Sequence, residues 1–237
     1  MSRRIQVIGA HSADFVWRAG GAIAKAVELG GEAEVIALSY GERGESGELW
    51  KEEGQTIANV KKVRHAEAEA AAAELGAIFK ALDLGDYPLQ IGTDELNLIA
   101  ETIREFAPDV LVTHTDTDPF NPDHPVAHDA VDRARSLAAG AGVQSAFKTI
   151  RPPALFLFEP HQPELCNFTP TVFVDITSVF ERKRAAMAHM KAQSYLQGYY
   201  AERAAHRGNH ARRASGDQDV RVAEAFQQVI PRVVSEL

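Results

Sequence analysis

A chain of 237 residues, 45% hydrophobic and 24% charged, is long enough to bury a full core and is composed like a soluble globular protein, which excludes a largely disordered or fibrous chain. Its 25 Lys and Arg against 33 Asp and Glu leave a formal charge of −8, which argues against a nucleic-acid surface, and no apolar run approaches the roughly 20 residues that span a bilayer. The start, Met1-Ser2-Arg3-Arg4 before a short apolar stretch, is too brief for a secretory leader, and one cysteine, Cys166, allows no internal disulfide, so the expected location is the cytoplasm.

Residues 5–10 form an almost continuous apolar run, as expected of a strand covered on both faces. A polar turn, His11 to Asp14, follows, and residues 17–29 carry Ala, Ile and Val on one stripe of a helix ended by Gly30-Gly31. Residues 33–39 supply a second strand, so the chain opens with a βαβ crossover, almost always right-handed. Residues 51–75, rich in Ala, Glu and Lys, predict a helix stopped by Gly76, and residues 79–84 a third strand closed by Gly85-Asp86-Tyr87-Pro88. Thr93 reads as the N-cap of a helix reaching Phe106, with Pro108 beyond its end. Residues 110–113 predict a fourth strand, 124–139 a helix closed by Gly140-Ala141-Gly142, and 154–158 and 172–176 two later strands. A long helix is expected from about 178 to 197; residues 203–218 are polar and basic, and 220–234 read as one more helix. No repeat, linker or low-complexity block divides the chain. The predicted architecture is a single α/β domain over residues 1–237, with a doubly wound, Rossmann-like, mostly parallel sheet and helices on both faces.

In such folds ligands bind beyond the carboxyl ends of the strands, where the strand order reverses. Four turns of that kind are chemically loaded: His11-Ser12-Ala13-Asp14; residues 41–46, with Arg43 and Glu45; residues 114–124; and residues 159–164, with His161. Five of the nine histidines, His11, His114, His124, His128 and His161, fall in or beside them. Imidazole plus carboxylate suits Zn²⁺, and a catalytic zinc keeps three protein ligands and an open position. His11 and Asp14, three apart in a turn that enters a helix, can face one point, and His124 could complete a His-Asp-His triad from a neighbouring loop. Asp123 reads either as a second catalytic carboxylate or as the N-cap of its helix. His128 is expected to bond a neighbour on its helix face, His114 to support the site from outside the ligand set, and His65, His189, His206 and His210 to lie on the surface. Cys166 has no activating neighbour, and the stretch around Arg203, Arg207, Arg212 and Arg213 reads as a solvated face in preference to a site for anionic substrate across a subunit boundary.

Ala10-His11-Ser12-Ala13-Asp14 and Asn121-Pro122-Asp123-His124, in this α/β context, resemble the two motifs of the PIG-L (LmbE-like) family of zinc-dependent N-acetyl-sugar deacetylases, Ala-His-Pro-Asp-Asp and His-Pro-Asp-His. The resemblance runs in order over most of the chain and places the family's metal ligands on His11, Asp14 and His124, with one Zn²⁺ per chain. Two departures matter. The family's general base falls on Ala13, and the histidine that assists proton transfer and oxyanion stabilisation falls on Asn121. A methyl group cannot take a proton from water, so the retained metal site points to another reaction. The segments at 10–21, 41–46, 158–164 and 175–179 resemble a hydratase subgroup of the family that serves aromatic-acid breakdown.

The expected activity is therefore addition of water to an activated carbon–carbon double bond of a small polycarboxylate keto or enol acid. Glu45, His161 and Asp123 are the expected acid–base groups. Arg43, between two glycines, Arg18, one turn into the first helix, and Asn121 are expected to bind substrate. Other readings are a zinc deacetylase that uses Asp123 or Glu45 as its base, and a non-catalytic binding protein; an open three-ligand metal site argues against the last. Expected partners are the small anionic substrate and further copies of the chain in a homo-oligomer, with no nucleic acid and no membrane.

Overall fold

Strand and helix alternate as the sequence predicts through β1 (Arg4–Gly9), α1 (Asp14–Glu28), β2 (Glu32–Ala37), α2 (Ile57–Leu75), β3 (Ile78–Ala81), α3 (Thr93–Phe106), β4 (Val110–Thr113), α4 (Asp123–Ala139) and β5 (Ala154–Phe158). Then come β6 (Val172–Asp175), α5 (Phe180–His189), α6 (Leu196–Ser215) and β7 (Ala223–Gln228). The structure, a computed structural model, describes residues 3–231 and 233. Seven strands make one sheet in the order β3-β2-β1-β4-β5-β7-β6; β1 to β5 run parallel, and β7 is antiparallel to both its neighbours. The order reverses between β1 and β4, which opens a crevice at their carboxyl ends.

Alternation along the strands feeds two cores. Val7 and Val35 pack on one face with Phe15, Ile23 and Leu75. Ile8 and Ile36 pack on the other with Ile103, Leu111 and Val131. Burial on both faces explains why the strands read as unbroken apolar runs. Among the described residues, no helix is long and apolar enough to cross a membrane.

The departures from the predicted elements have local or tertiary causes. Thr93 is the first residue of α3, not its cap: Gly92 is the N-cap, and its N–H is taken by the Glu95 carboxylate at 2.9 Å. The predicted helix 51–75 opens instead at Ile57, where the Thr56 hydroxyl accepts the Asn59 N–H; the chain before it makes only a 3₁₀ turn, Leu49–Lys51. The long helix expected over 178–197 is broken at the buried Met190, and a 3₁₀ turn, Lys191–Gln193, follows before α6 begins. Glu67 on α2 anchors that break by accepting the Ala192 N–H at 2.9 Å. The basic stretch is mostly helix α6, and the predicted helix over 220–234 is instead strand β7; positions 232 and 234 lie outside the described residues. Here the ladder offered by β5 and β6 overrides local propensity.

The carboxyl end of α4, far from His124, is closed by a cation from α3. Buried Arg104 donates to the carbonyls of Leu137, Ala138, Gly140 and Val143 at 2.7–3.2 Å. Arg104→Met leaves these carbonyls without their charged donor and should lower unfolding free energy by about 2–3 kcal/mol in a denaturant titration, with turnover unchanged. Loss of turnover at full stability would contradict this role.

Candidate functional site

At the β1–β4 crevice the turn after β1 folds back on itself. The Asp14 Oδ2 accepts the His11 N–H at 2.7 Å, and α1 starts at Asp14, three residues earlier than the apolar stripe predicts. Gly9 leaves room for this closure, since a Cβ there would lie 2.9 Å from the Asp14 Cβ. In the turn after β2, Gly41 adopts φ +69°, a conformation that favours glycine, and the turn brings Glu45 over His11. His124 enters from the start of α4.

The ligand atoms of His11, Asp14, Glu45 and His124 all lie within 4.8 Å of one another. His11 Nδ1 is 3.2 Å from Glu45 Oε1 and 3.6 Å from Asp14 Oδ2, and His124 Nε2 is 3.7 Å from both carboxylates. These two imidazole nitrogens are buried and have no hydrogen-bond partner. The opposite nitrogens each face a carboxylate: His11 Nε2 lies 3.3 Å from Asp123 and His124 Nδ1 lies 2.8 Å from Asp118. Carboxylates behind two histidines whose inner nitrogens converge on more carboxylates form a donor set that fits a divalent cation such as zinc.

The electrostatics agree. Burial alone would lower the His11 pKa, but Glu45, Asp123 and Asp14 raise it well above its ordinary value. Burial would raise Asp14, but His114, Arg18 and His11 hold it well below the carboxylate range; Glu45 is likewise held down against burial, chiefly by His11. His114, 3.0 Å from Asp14 Oδ2 and stacked on His124, is itself pushed down to about 3 by burial and by the neighbouring His124. A second group, His11, Asp86 and Asp123, is already engaged: Asp86 accepts the N–H groups of Arg43 and Gly44, and Asp123 those of Tyr87 and Leu89.

A cavity of about 300 Å³ opens beside the cluster, walled by Trp17, Arg18, Glu45, Asp118, Asn121, His124 and His161, with Tyr87, Gln193, Tyr195 and Tyr200. Arg18 is buried and ion-paired to Asp14, while its Nε has no partner. Asn121 donates to Glu45 Oε1 at 3.0 Å and its Oδ1 accepts the Asp123 N–H. His161 stacks on Tyr199 at 4.1 Å between centroids, and its loop is held by Arg203, which donates to the carbonyls of Pro160 and His161. Burial, then the Arg18 and Arg203 charges, lower the His161 pKa.

Several expectations need correcting. Arg43 is not among the cavity residues: its guanidinium donates to the Asp86 carbonyl at 2.6 Å and is half exposed, because its turn is pinned by Asp86. Asp123 does not cap α4; Pro122 holds the N-cap position, and the Asp123 carboxylate reaches His11 and the 87–89 backbone instead. Arg203 and Arg207 are not a solvated face, since both pair with buried Glu159 at the end of β5. His65 is half-buried between Tyr40 and Phe79 and not on the surface. His128 does bond its neighbour, the His114 carbonyl, at 2.8 Å. The sequence reading missed Asp118, Tyr87, Gln193 and Tyr200. Only Asp118, in the loaded 114–124 turn, carried a local signal.

The profile of the PIG-L family, described as GlcNAc-PI de-N-acetylase, matches residues 6–135. Over 234 residues, 98% of this chain and 91% of the relative, the sequence is 44% identical to a 4-oxalmesaconate hydratase of Pseudomonas putida. The fold matches the crystal structure of GalB, the 4-carboxy-2-hydroxymuconate hydratase of Pseudomonas putida, with a TM-score of 0.96 at 43% identity, covering 99% of each chain. It also matches the N,N'-diacetylchitobiose deacetylase of Pyrococcus horikoshii, with a TM-score of 0.76 at 19% identity, over 95% of this chain and 83% of that one. At that identity the likeness speaks for the fold alone.

Proposed function

The chain belongs to the PIG-L family, and from that premise we propose that it is a metal-dependent hydratase of a 4-oxalmesaconate-type tricarboxylate. The observation that carries this reading is identity at 44% with a named hydratase over 98% of the chain. The names of the two hydratase relatives describe keto and enol forms of one carbon skeleton, in which a double bond is conjugated to a carbonyl and carries carboxylates. The cavity contributes Asp14, Glu45 and Asp118 against one guanidinium, Arg18, so a polyanion needs a further positive charge there. The donor set of His11, Asp14 and His124 would hold one Zn²⁺ per chain. When bound, that ion supplies a Lewis acid for a substrate carbonyl or carboxylate oxygen, or for the attacking water.

The chain's own residues divide the remaining work. Asp118 and Asp123 hold the outer imidazole nitrogens, so that the inner ones of His124 and His11 stay free as donors. Arg18, with an unpartnered buried Nε, grips a substrate carboxylate. Asn121 holds Glu45. Glu45, ionised, and His161, neutral near pH 7, both enter as bases. One takes a proton from the attacking water as its oxygen bonds to the conjugated carbon. The acid so formed returns a proton to the adjacent carbon, and the addition is proton-neutral overall. Asp123, fully engaged with backbone N–H groups, serves as support and not as a third base. A cytoplasmic location and homo-oligomeric assembly belong to the same proposal.

The test compares loss of the enol chromophore of 4-carboxy-2-hydroxymuconate with acetate release from N-acetylglucosamine derivatives. Chromophore loss with acetate at background is expected, because Ala13 is a buried methyl where the deacetylases are expected to carry their base. Absence of that base should leave hydrolysis about 10²–10⁴-fold below a family deacetylase. Robust acetate release would promote the deacetylase reading.

A further inference from the structure

Gln193 is a buried amide on the 3₁₀ turn Lys191–Gln193 that lines the cavity, and its neighbours dictate which way it points. Its Oε1 accepts from Arg64 Nη2 at 3.0 Å and from Trp17 Nε1 at 3.4 Å. Guanidinium and indole nitrogens only donate, so the oxygen must face them. The NH₂ then faces the other way, 3.5 Å from Glu45 Oε2. Arg64 cannot turn aside: it is fully buried, with Nη1 on Glu67 at 2.9 Å and Nε on the Tyr40 carbonyl. The other Glu67 oxygen accepts the Ala192 N–H, so the same ion pair holds both the backbone and the side chain of this turn. With Asn121 donating to Oε1, each oxygen of Glu45 has one carboxamide donor.

We propose that Gln193 is a positioning residue for Glu45, locked by the Arg64–Glu67 pair so that its NH₂ always faces the Glu45 carboxylate. This rests on the reading of Glu45 as an acid–base group of the hydratase. Two donors from opposite loops fix the carboxylate plane beside His11 and His124. Misplacement of a reacting group by about 1 Å costs on the order of 10²-fold in rate. Since Gln193 acts through Glu45 and not on substrate, its loss belongs in kcat and not in KM.

The experiment measures kcat, KM and thermal midpoint for Gln193→Met and Gln193→Glu, with Arg64→Lys as a second route that keeps the charge and loses the planar fork. A crystal structure of Gln193→Glu accompanies them. The expected result is a fall in kcat of about 10–10²-fold with KM little changed, a smaller fall of the same kind in Arg64→Lys, and a Glu45 carboxylate rotated away from His11 and His124. A rise in KM at unchanged kcat would instead make Gln193 a substrate contact and overturn the proposal. So would a crystal structure in which Glu45 keeps its place. That structural outcome needs no substrate, so it remains decisive even where the wild-type chain fails to hydrate 4-oxalmesaconate and the hydratase reading itself falls.

Discussion

His11→Ala is expected to yield a folded protein that retains no divalent metal and shows no measurable hydration. The imidazole is fully buried, and its Nδ1 has no hydrogen-bond partner while it faces Glu45 and Asp14. Removing it leaves Asp14, Glu45 and His124 as donors, with two buried carboxylates less well balanced. The proposed three-ligand set loses a member and the outer support from Asp123 loses its target. Lewis-acid stabilisation is worth several kcal/mol, so turnover should fall by more than about 10³-fold. Elemental analysis of the dialysed protein, circular dichroism and turnover together decide it. A variant that keeps stoichiometric metal and activity would remove His11 from the ligand set.

His161→Ala should behave differently: full metal content with turnover reduced by about 10²–10⁴-fold, the usual cost of one acid–base group. The ring lies in the cavity wall, stacked on Tyr199, and is absent from the converged donor cluster. Its pKa is lowered by burial and by the Arg18 and Arg203 charges, so the neutral, basic form persists to more acidic pH than for a free imidazole. If His161 is the base, kcat/KM stays level through neutrality and falls only as pH drops through a midpoint below about 6.5, where the ring gains its proton. That acid limb should be missing in His161→Ala. Loss of metal from the variant would make His161 a ligand, and near-normal turnover would leave proton transfer to Glu45.

The first five strands and their helices were legible because each is specified within a few residues. Val7 and Ile8, on opposite faces of β1, both had to be apolar, and Gly30-Gly31 had to end α1. The motif turns were legible for a similar reason, since His11 and Asp14 sit three apart and close on each other, the His11 N–H on the Asp14 carboxylate and the Asp14 N–H on the His11 carbonyl. Boundaries were less so. Glu95 reaching back to Gly92 competes with Thr93 as a cap, and local capping chemistry allows both starts.

From its own letters the chain determined an α/β sheet, a crevice at the carboxyl ends of its strands, and the turns that deliver histidines and carboxylates to it. Tertiary structure alone decided that Glu45 joins His11, Asp14 and His124, that Asp123 backs His11, and that Arg43 points away while Arg18 points in. It also decided that residues 223–228 become a strand between β5 and β6 and that α6 pins the His161 loop through Arg203. The reason is range. Periodicity, caps and turns act over three or four residues, whereas these choices turn on hydrogen bonds and ion pairs between segments tens to more than a hundred residues apart. Those bonds exist only once the sheet has brought the segments together, and there they outweigh local preferences of a few tenths of a kcal/mol per residue.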